Sequence, residues 1–267
     1  MKRKRYSNIA YVFLIPWFIG FFGFMLFPML YSLFLSFTDY GIFGTPNFIG
    51  LKNYISMFTI DSHYINSIKV TMIYVFTGVP LQLLISLFLA NALTKPIKGA
   101  SIFRGLFYIP SLLGSSVAVS VLWRQIFASD GLINNILGVA GVESSISWIS
   151  NPNYAIWTLV LLWAWQFGSP MIIFIAGIKQ IPKSLYESAE IDGAKKRQQF
   201  FKITLPMLSP IILFNMVMQI ISAFKAFTPA FIISKGTGGI LDCLRFYTLG
   251  LYREAFVNLR MGYASSM

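Results

Sequence analysis

Val70-Thr-Met-Ile-Tyr-Val-Phe-Thr-Gly-Val-Pro-Leu-Gln-Leu-Leu-Ile-Ser-Leu-Phe-Leu-Ala-Asn-Ala-Leu-Thr94 is an uncharged stretch closed at each end by a lysine, Lys69 and Lys95. A helix rising 1.5 Å per residue needs about 20 residues to cross the hydrocarbon of a bilayer. This stretch is long enough, and a charge at its centre would cost at least roughly 2.5 kcal/mol. It reads as a membrane span, and moving outward from it finds four more of the same kind. The predicted spans are residues 9–37, 69–94, 103–126, 154–178 and 204–233, with Lys225 interrupting the far end of the last. Continuous apolar runs predict helices and not a barrel, because each backbone amide is then satisfied within its own segment. The chain as a whole agrees: it is 56% hydrophobic and 11% charged, with a mean hydropathy of +0.68. The expectation is an all-α membrane protein of about five transmembrane helices, forming a single domain over residues 1–267.

Charge sets the orientation. Met1-Lys-Arg-Lys-Arg5 precedes an apolar run too long for a cleaved leader, with no small-residue cleavage site behind it, so it reads as a retained anchor. Lys and Arg accumulate on the cytoplasmic side. With the N-terminus inside, the inner segments hold thirteen of the twenty-one basic residues, including Lys95, Lys98, Arg104, Lys179, Lys183 and Lys195, while 128–153 holds none. The net charge of +12 therefore caps spans and does not point to nucleic acid. A single cysteine, Cys243, excludes an internal disulfide and a thiolate metal cluster, and the one histidine, His63, falls in an outer loop as a solvated side chain. No cofactor or metal is expected.

The connection after the fourth span, residues 182–203, carries the most information. It reads Lys183-Ser-Leu-Tyr-Glu-Ser-Ala-Glu-Ile-Asp-Gly-Ala-Lys-Lys-Arg-Gln-Gln-Phe-Phe-Lys-Ile-Thr-Leu-Pro206. Ser184 with Glu187 three residues on predicts a capping box opening a short helix. Asp192-Gly193 predicts its end, since glycine accepts the left-handed conformation. A second helical piece follows from Ala194 to Phe201, and Pro206 stands where the fifth span begins. The outcome is a helix-turn-helix elbow on the cytoplasmic face.

Glu187-Ser-Ala-Glu-Ile-Asp-Gly-Ala194, continuing through Phe201-Lys-Ile-Thr-Leu-Pro206, resembles the EAA loop of binding-protein-dependent ABC permeases, with Ser188 in place of the motif's second alanine. The likeness extends to Ser36-Phe-Thr-Asp39, Phe48-Ile-Gly-Leu-Lys-Asn-Tyr54, Ile109-Pro110, Trp123 and Gly131-Leu-Ile-Asn134, and is to the carbohydrate-uptake branch of maltose, lactose and glycerol-phosphate type. The resemblance implies a MetI-like permease bundle in a bacterial inner membrane. It implies a second permease subunit, two ATPase subunits, an extracytoplasmic solute-binding protein and a sugar or oligosaccharide substrate as partners. By the same resemblance Glu187 pairs with a basic residue of the ATPase, Ala189 and Ala194 allow close packing, Asp192 and Gly193 form the bend, and Leu185 and Tyr186 fill the ATPase groove. Members of the family continue through a sixth span after a Met-Gly-Tyr-Ala sequence, whereas this chain halts at Met261-Gly-Tyr-Ala264-Ser-Ser-Met267. A stop ahead of a final helix is the expectation.

The substrate path is less legible. Trp157, Trp163 and Trp165 read first as interfacial anchors. Gln166, Ser169, Asn215 and Gln219 lie inside spans, where polar groups face other helices or a sugar. Lys225 and Arg124 read as snorkelling toward the outer interface. An ion-gradient transporter is the alternative, but all nine acids fall outside the spans. An enzyme lacks the machinery, with no His-Glu-x-x-His, no Gly-x-Ser-x-Gly and no phosphate-binding loop, so ATP hydrolysis is expected on a separate subunit.

Overall fold

The structure, a computed structural model, describes residues 3–94, 99–141 and 146–267, with side chains from Tyr11 onward. Lys2, Lys95, Lys98 and Glu143 lie outside the described residues. Chain order runs through α1 (Arg3–Ile19), a π-helical turn (Gly20–Leu26), α2 (Phe27–Leu35), α3 (Lys52–Thr59), α4 (Ser62–Leu93), α5 (Ala100–Leu113), α6 (Val117–Ile126) and α7 (Leu132–Val139). It continues through α8 (Ala155–Trp165), α9 (Gly168–Gln180), α10 (Lys183–Ile191), α11 (Lys196–Gln199), a second π turn (Phe200–Thr204), α12 (Leu205–Met207) and α13 (Ser209–Phe224). Last come α14 (Thr228–Ile233), α15 (Tyr247–Tyr252), a third π turn (Arg253–Val257) and α16 (Met261–Ser266). Among the described residues the only ladder contact is an isolated bridge between Thr38 and Phe48.

Three helical stretches are long and apolar enough to cross a membrane: Tyr11–Leu35, Ser62–Leu93 and Ser209–Ile233. Two bent pairs bring the number to five, α5 with α6 at 95° and α8 with α9 at 41°. The run expected to be one span over 103–126 is thus two helices meeting near a right angle. The cause is local. Ser116 is extended (φ −75°, ψ 153°) and its hydroxyl accepts the Val119 N–H, so a polar N-cap starts a new helix inside an uncharged run. The first two π turns each lie just ahead of a proline, Pro28 and Pro206. Proline has no N–H to donate, and the preceding turn widens to accommodate the missing bond.

The chain forms two compact units, residues 1–65 with 250–267, and residues 66–249, so that α4 and α15 each contribute to both. In the first unit, three segments separated in sequence meet. Asn53 donates its amide to the carbonyls of Ser36 and Thr38 at 2.9 and 2.8 Å, and Tyr54 donates its hydroxyl to Ser36 Oγ at 2.8 Å. Gly262 lies against Thr38 so closely that a Cβ there would stand 2.2 Å from the Thr38 carbonyl oxygen, and its N–H donates to Tyr40 O at 2.7 Å. Tyr263 reaches Asp61, its hydroxyl 2.6 Å from the carboxylate.

The second unit has two packed cores. One gathers Tyr74, Val75 and Val79 of α4, Leu159 and Leu162 of α8, Ala230 and Ile233 of α14, and Leu244, Phe246 and Leu249. The other joins Ala90 and Leu93 of α4 to Met171, Phe174 and Ile175 of α9. Lipid tails are as apolar as these side chains, so close fit and buried hydrogen bonds hold the helices together. Gly168 is one such fit: a Cβ there would lie 2.4 Å from the Phe107 carbonyl oxygen and 2.7 Å from the Tyr108 Cα.

Candidate functional site

The elbow is built from α10 and α11. The expected Ser184 cap is not the one used. Pro182, extended at ψ 129°, is the N-cap, and Leu185 N–H closes the first turn onto Pro182 O at 3.2 Å, which leaves Ser184 inside the helix. The end of α10 is as Asp192-Gly193 predicts. Gly193 has φ +75°, its N–H donates to Glu190 O at 3.1 Å, and the Ala194 N–H donates to Ala189 O at 2.8 Å. Those two bonds are the Schellman pair that ends a helix on a left-handed residue.

Beyond the bend, the Lys195 N–H donates to Gln198 Oε1 at 2.7 Å and caps α11. Lys196 donates to Glu190 across the turn; that bond, with a contribution from Gln199 and the lysine's charge, holds the Glu190 carboxyl below the usual range. Tyr186 shares a hydrogen bond with Thr204 at 2.8 Å, tying α10 to the start of the fifth span. The elbow is therefore fixed by its own contacts, while Glu187 and Asp192 remain exposed, and Leu185 is largely so. Sequence reading passed over Ile191, which lies four residues beyond Glu187 and is 87% exposed. An apolar residue so bare on a polar connector is the one available signal, and it emerges only once the helix register is known.

The second feature is a cavity of about 340 Å³ within residues 66–249, lined among others by Tyr74, Gln82, Trp163, Gln166, Gln219 and Lys225. It lies beside the break between α8 and α9. The break frees the carbonyl of Gln166, and neighbouring spans supply the missing donors, while the Phe167 carbonyl keeps the Met171 N–H of α9 at 3.1 Å and takes a second donor. Gln82 Nε2 donates to Gln166 O at 2.8 Å, Ser111 Oγ to the same oxygen at 3.0 Å, and Ser86 Oγ to Phe167 O at 2.9 Å. Irregular backbone at membrane depth is tolerated only with such partners. Ser111 also accepts the Ser169 N–H at 2.9 Å.

Of the in-span polar residues singled out in sequence, Gln166, Ser169 and Gln219 line this cavity. Asn215 does not. It is fully buried, with both amide atoms unpartnered among the described residues. Trp163 packs edge-on to Tyr74, ring centroids 5.8 Å apart, and lines the cavity. Trp157 and Trp165 are exposed. Lys225 also lines the cavity, and Arg124 lines a separate one. Gln82 and Ser111 were missed, and the available signal was an amide and a hydroxyl inside otherwise apolar runs.

Several spans, one of them broken beside a polar cavity, and an exposed capped elbow define a multi-pass membrane protein of permease type. Residues 65–244 match the model of a family described as binding-protein-dependent transport system inner membrane component. The chain is 54% identical to a probable ABC transporter permease protein, YesP, of Bacillus subtilis (strain 168), over all of this chain and 88% of that one. It is 30% identical to the lactose transport system permease protein LacF of Rhizobium radiobacter, over 95% of this chain and 85% of the other. Its fold matches a chain in the crystal structure of a bacterial alginate ABC transporter in complex with an alginate pentasaccharide-bound periplasmic protein, with TM-score 0.82, 23% identity, and coverage of 99% and 89%. The chain belongs to the family of binding-protein-dependent transport system inner membrane components.

Proposed function

We propose that this chain is one transmembrane half of an ATP-driven importer for a sugar or oligosaccharide, with its N-terminus in the cytoplasm and residues 182–203 as the seat of an ATPase subunit. The observation that carries the reading is the elbow: a bend locked by its own Schellman bonds that leaves Leu185, Glu187 and Ile191 uncovered. Such a handle can be gripped without being deformed, so closure of two ATPase subunits is passed on as rocking of the spans. Glu187 pairs with a basic group of the ATPase, Leu185, Tyr186 and Ile191 enter its groove, and Ala189 and Ala194 let the two surfaces approach. Asp192 and Gly193 hold the bend.

A second permease subunit completes the path, and an extracytoplasmic solute-binding protein delivers the cargo. The sugar reading rests on the relatives' named substrates and on the cavity beside α8 and α9, where hydroxyl-matching Gln and Ser side chains stand next to the ring of Trp163. The test is co-expression with the partner ATPase. The full chain retains the ATPase through purification and supports transport-linked hydrolysis, while Gly193→Pro and Glu187→Lys insert normally but lose both. Retention and uptake unchanged in those two variants would overturn the coupling role.

A further inference from the structure

Gln82 and Ser86 of α4 face the break between α8 and α9, where they donate to the Gln166 and Phe167 carbonyls. Leu84 and Phe88 each follow one of them by two residues. At 3.6 residues per turn they stand about 200° away round the helix, and both are exposed. They form one wall of a further cavity, about 540 Å³, on the side of α4 turned away from the break. Phe200 and Phe201, where the elbow runs into the fifth span, stand on the facing wall. At one end the lining turns polar, with Asn91 of α4 and with Lys196 and Arg197 of α11. No acid lines the cavity among the described residues. The Arg197 guanidinium lies over the Phe201 ring at 5.9 Å, where the polar end meets the apolar wall, while Lys196 donates to Glu190.

We infer that this cavity holds an anionic phospholipid, with an acyl chain along Leu84, Phe88 and Phe201 and the headgroup phosphate at Arg197 and Lys196. The lining has the polarity of an amphiphile. It is apolar along α4 from Leu84, and it becomes cationic about 10 Å further on, at Asn91, where α4 comes to its end. Basic pockets between membrane helices select acidic headgroups in this way. Both cations are exposed, so no buried charge has to be offset, and a headgroup can reach them from the bilayer surface. Arg197 has no ion pair among the described residues, which leaves its guanidinium to the phosphate. A zwitterionic lipid offers the same chains but brings its own cation against Arg197, and a soluble anion leaves the apolar walls bare. The lipid touches both α4 and the outgoing limb of the elbow, and so joins the two. The inference needs only a chain that spans a membrane; it stands apart from the cargo and from the ATPase seat.

The test is native mass spectrometry of the full chain, delipidated and then titrated with dioleoyl phosphatidylglycerol and, separately, with dioleoyl phosphatidylcholine. Arg197→Gln removes one charge, and Lys196→Gln added to it removes the other. Arg197→Lys keeps the charge, and Lys183→Gln removes one from the same elbow outside the cavity. The expected result is preferential binding of phosphatidylglycerol, weakened about fivefold for each cation removed from the cavity, with phosphatidylcholine unmoved. Arg197→Lys and Lys183→Gln stay near the parent. Equal loss for both lipids overturns the inference, because the substitutions then act on the walls or the fold. So does an equal loss in Lys183→Gln, which would make the attraction a diffuse one. Displacement of phosphatidylglycerol by an equimolar amount of free glycerol phosphate overturns the lipid assignment, since the chains then contribute nothing. Unchanged lipid binding alongside lost ATPase retention overturns it too and gives the surface to the ATPase.

Discussion

Tyr263 and Asp61, 202 positions apart in the chain, share a 2.6 Å hydrogen bond in which the tyrosine hydroxyl donates to the carboxylate. Arg260 stacks over the Tyr263 ring at 4.3 Å and pairs with Glu254 at 3.3 Å, so within the first unit the last helix is tied to Asp61 and to Glu254 by a chain of polar contacts. Burial pushes the Tyr263 hydroxyl well above its usual range, and Asp61 adds to that shift. For Asp61, burial works against ionisation, but the bonds from Tyr263 and from the Tyr64 and His63 N–H groups outweigh it and hold the carboxyl below its usual 3.8.

The folded Asp61 carboxyl thus binds its proton more weakly than the unfolded one. Its contribution to stability is full above pH 3.8 and fades as pH falls through the lower folded value. Tyr263→Phe removes the donor and should lower stability by about 1 kcal/mol at neutral pH. Melting temperatures of the two proteins in detergent should differ at pH 7 and converge in acid. A gap that is constant with pH would mean the hydroxyl acts through packing alone.

At Gly193 the substituted residue must accept φ +75°. Asparagine does so at small cost and proline, fixed near −65°, does not. ATPase stimulation should survive Gly193→Asn and vanish in Gly193→Pro, both measured against the amount of chain inserted in the membrane.

The Gln166 carbonyl is served by two donors, Gln82 and Ser111. Removing either leaves the other, so Gln82→Leu and Ser111→Ala should each cost well under what the pair costs. The double variant leaves the carbonyl bare, with a coupling of about 1 kcal/mol in a double-mutant cycle of melting. Strict additivity would mean that water or lipid headgroups already serve the break.

Gly168→Ala places a methyl against the Phe107 carbonyl, backbone that cannot turn aside. Overpacking of this kind costs typically 1–3 kcal/mol. The variant should melt lower than the parent, while Gly105→Ala, where a Cβ meets nothing within 4 Å, should not.

The exposed pair Lys196 and Glu190 offers a contrast. Both side chains are largely in solvent, where an ion pair gains little over hydration and salt screens it. Lys196→Ala should leave the melting temperature unchanged and should raise the Glu190 carboxyl toward its ordinary value, measurable by NMR titration.

The helical content was legible because a bilayer leaves so few options for runs such as 70–94. What sequence could not convey was direction. Ser116 looks like any small polar residue in a span until its extended backbone shows it capping a new helix, and the resulting 95° turn follows from that one conformation. At the elbow, Asp192-Gly193 was readable because left-handed geometry restricts residue type, whereas the start was misread because Pro182 and Ser184 are both good openers and only the closure onto Pro182 O selects between them. Lys225 is exposed at the end of α13, as a span-end lysine is expected to be, and its place at the rim of the cavity follows from the break at 225–227, which sequence did not mark.

The interruption between α8 and α9 has a mechanical corollary. An intact helix bends only by stretching its own ladder bonds, but at Gln166 the carbonyl is already held by side chains of other helices. A bend at Gln166 therefore leaves the ladder bonds of α8 and α9 whole, and it stands beside the cavity that Gln166 lines.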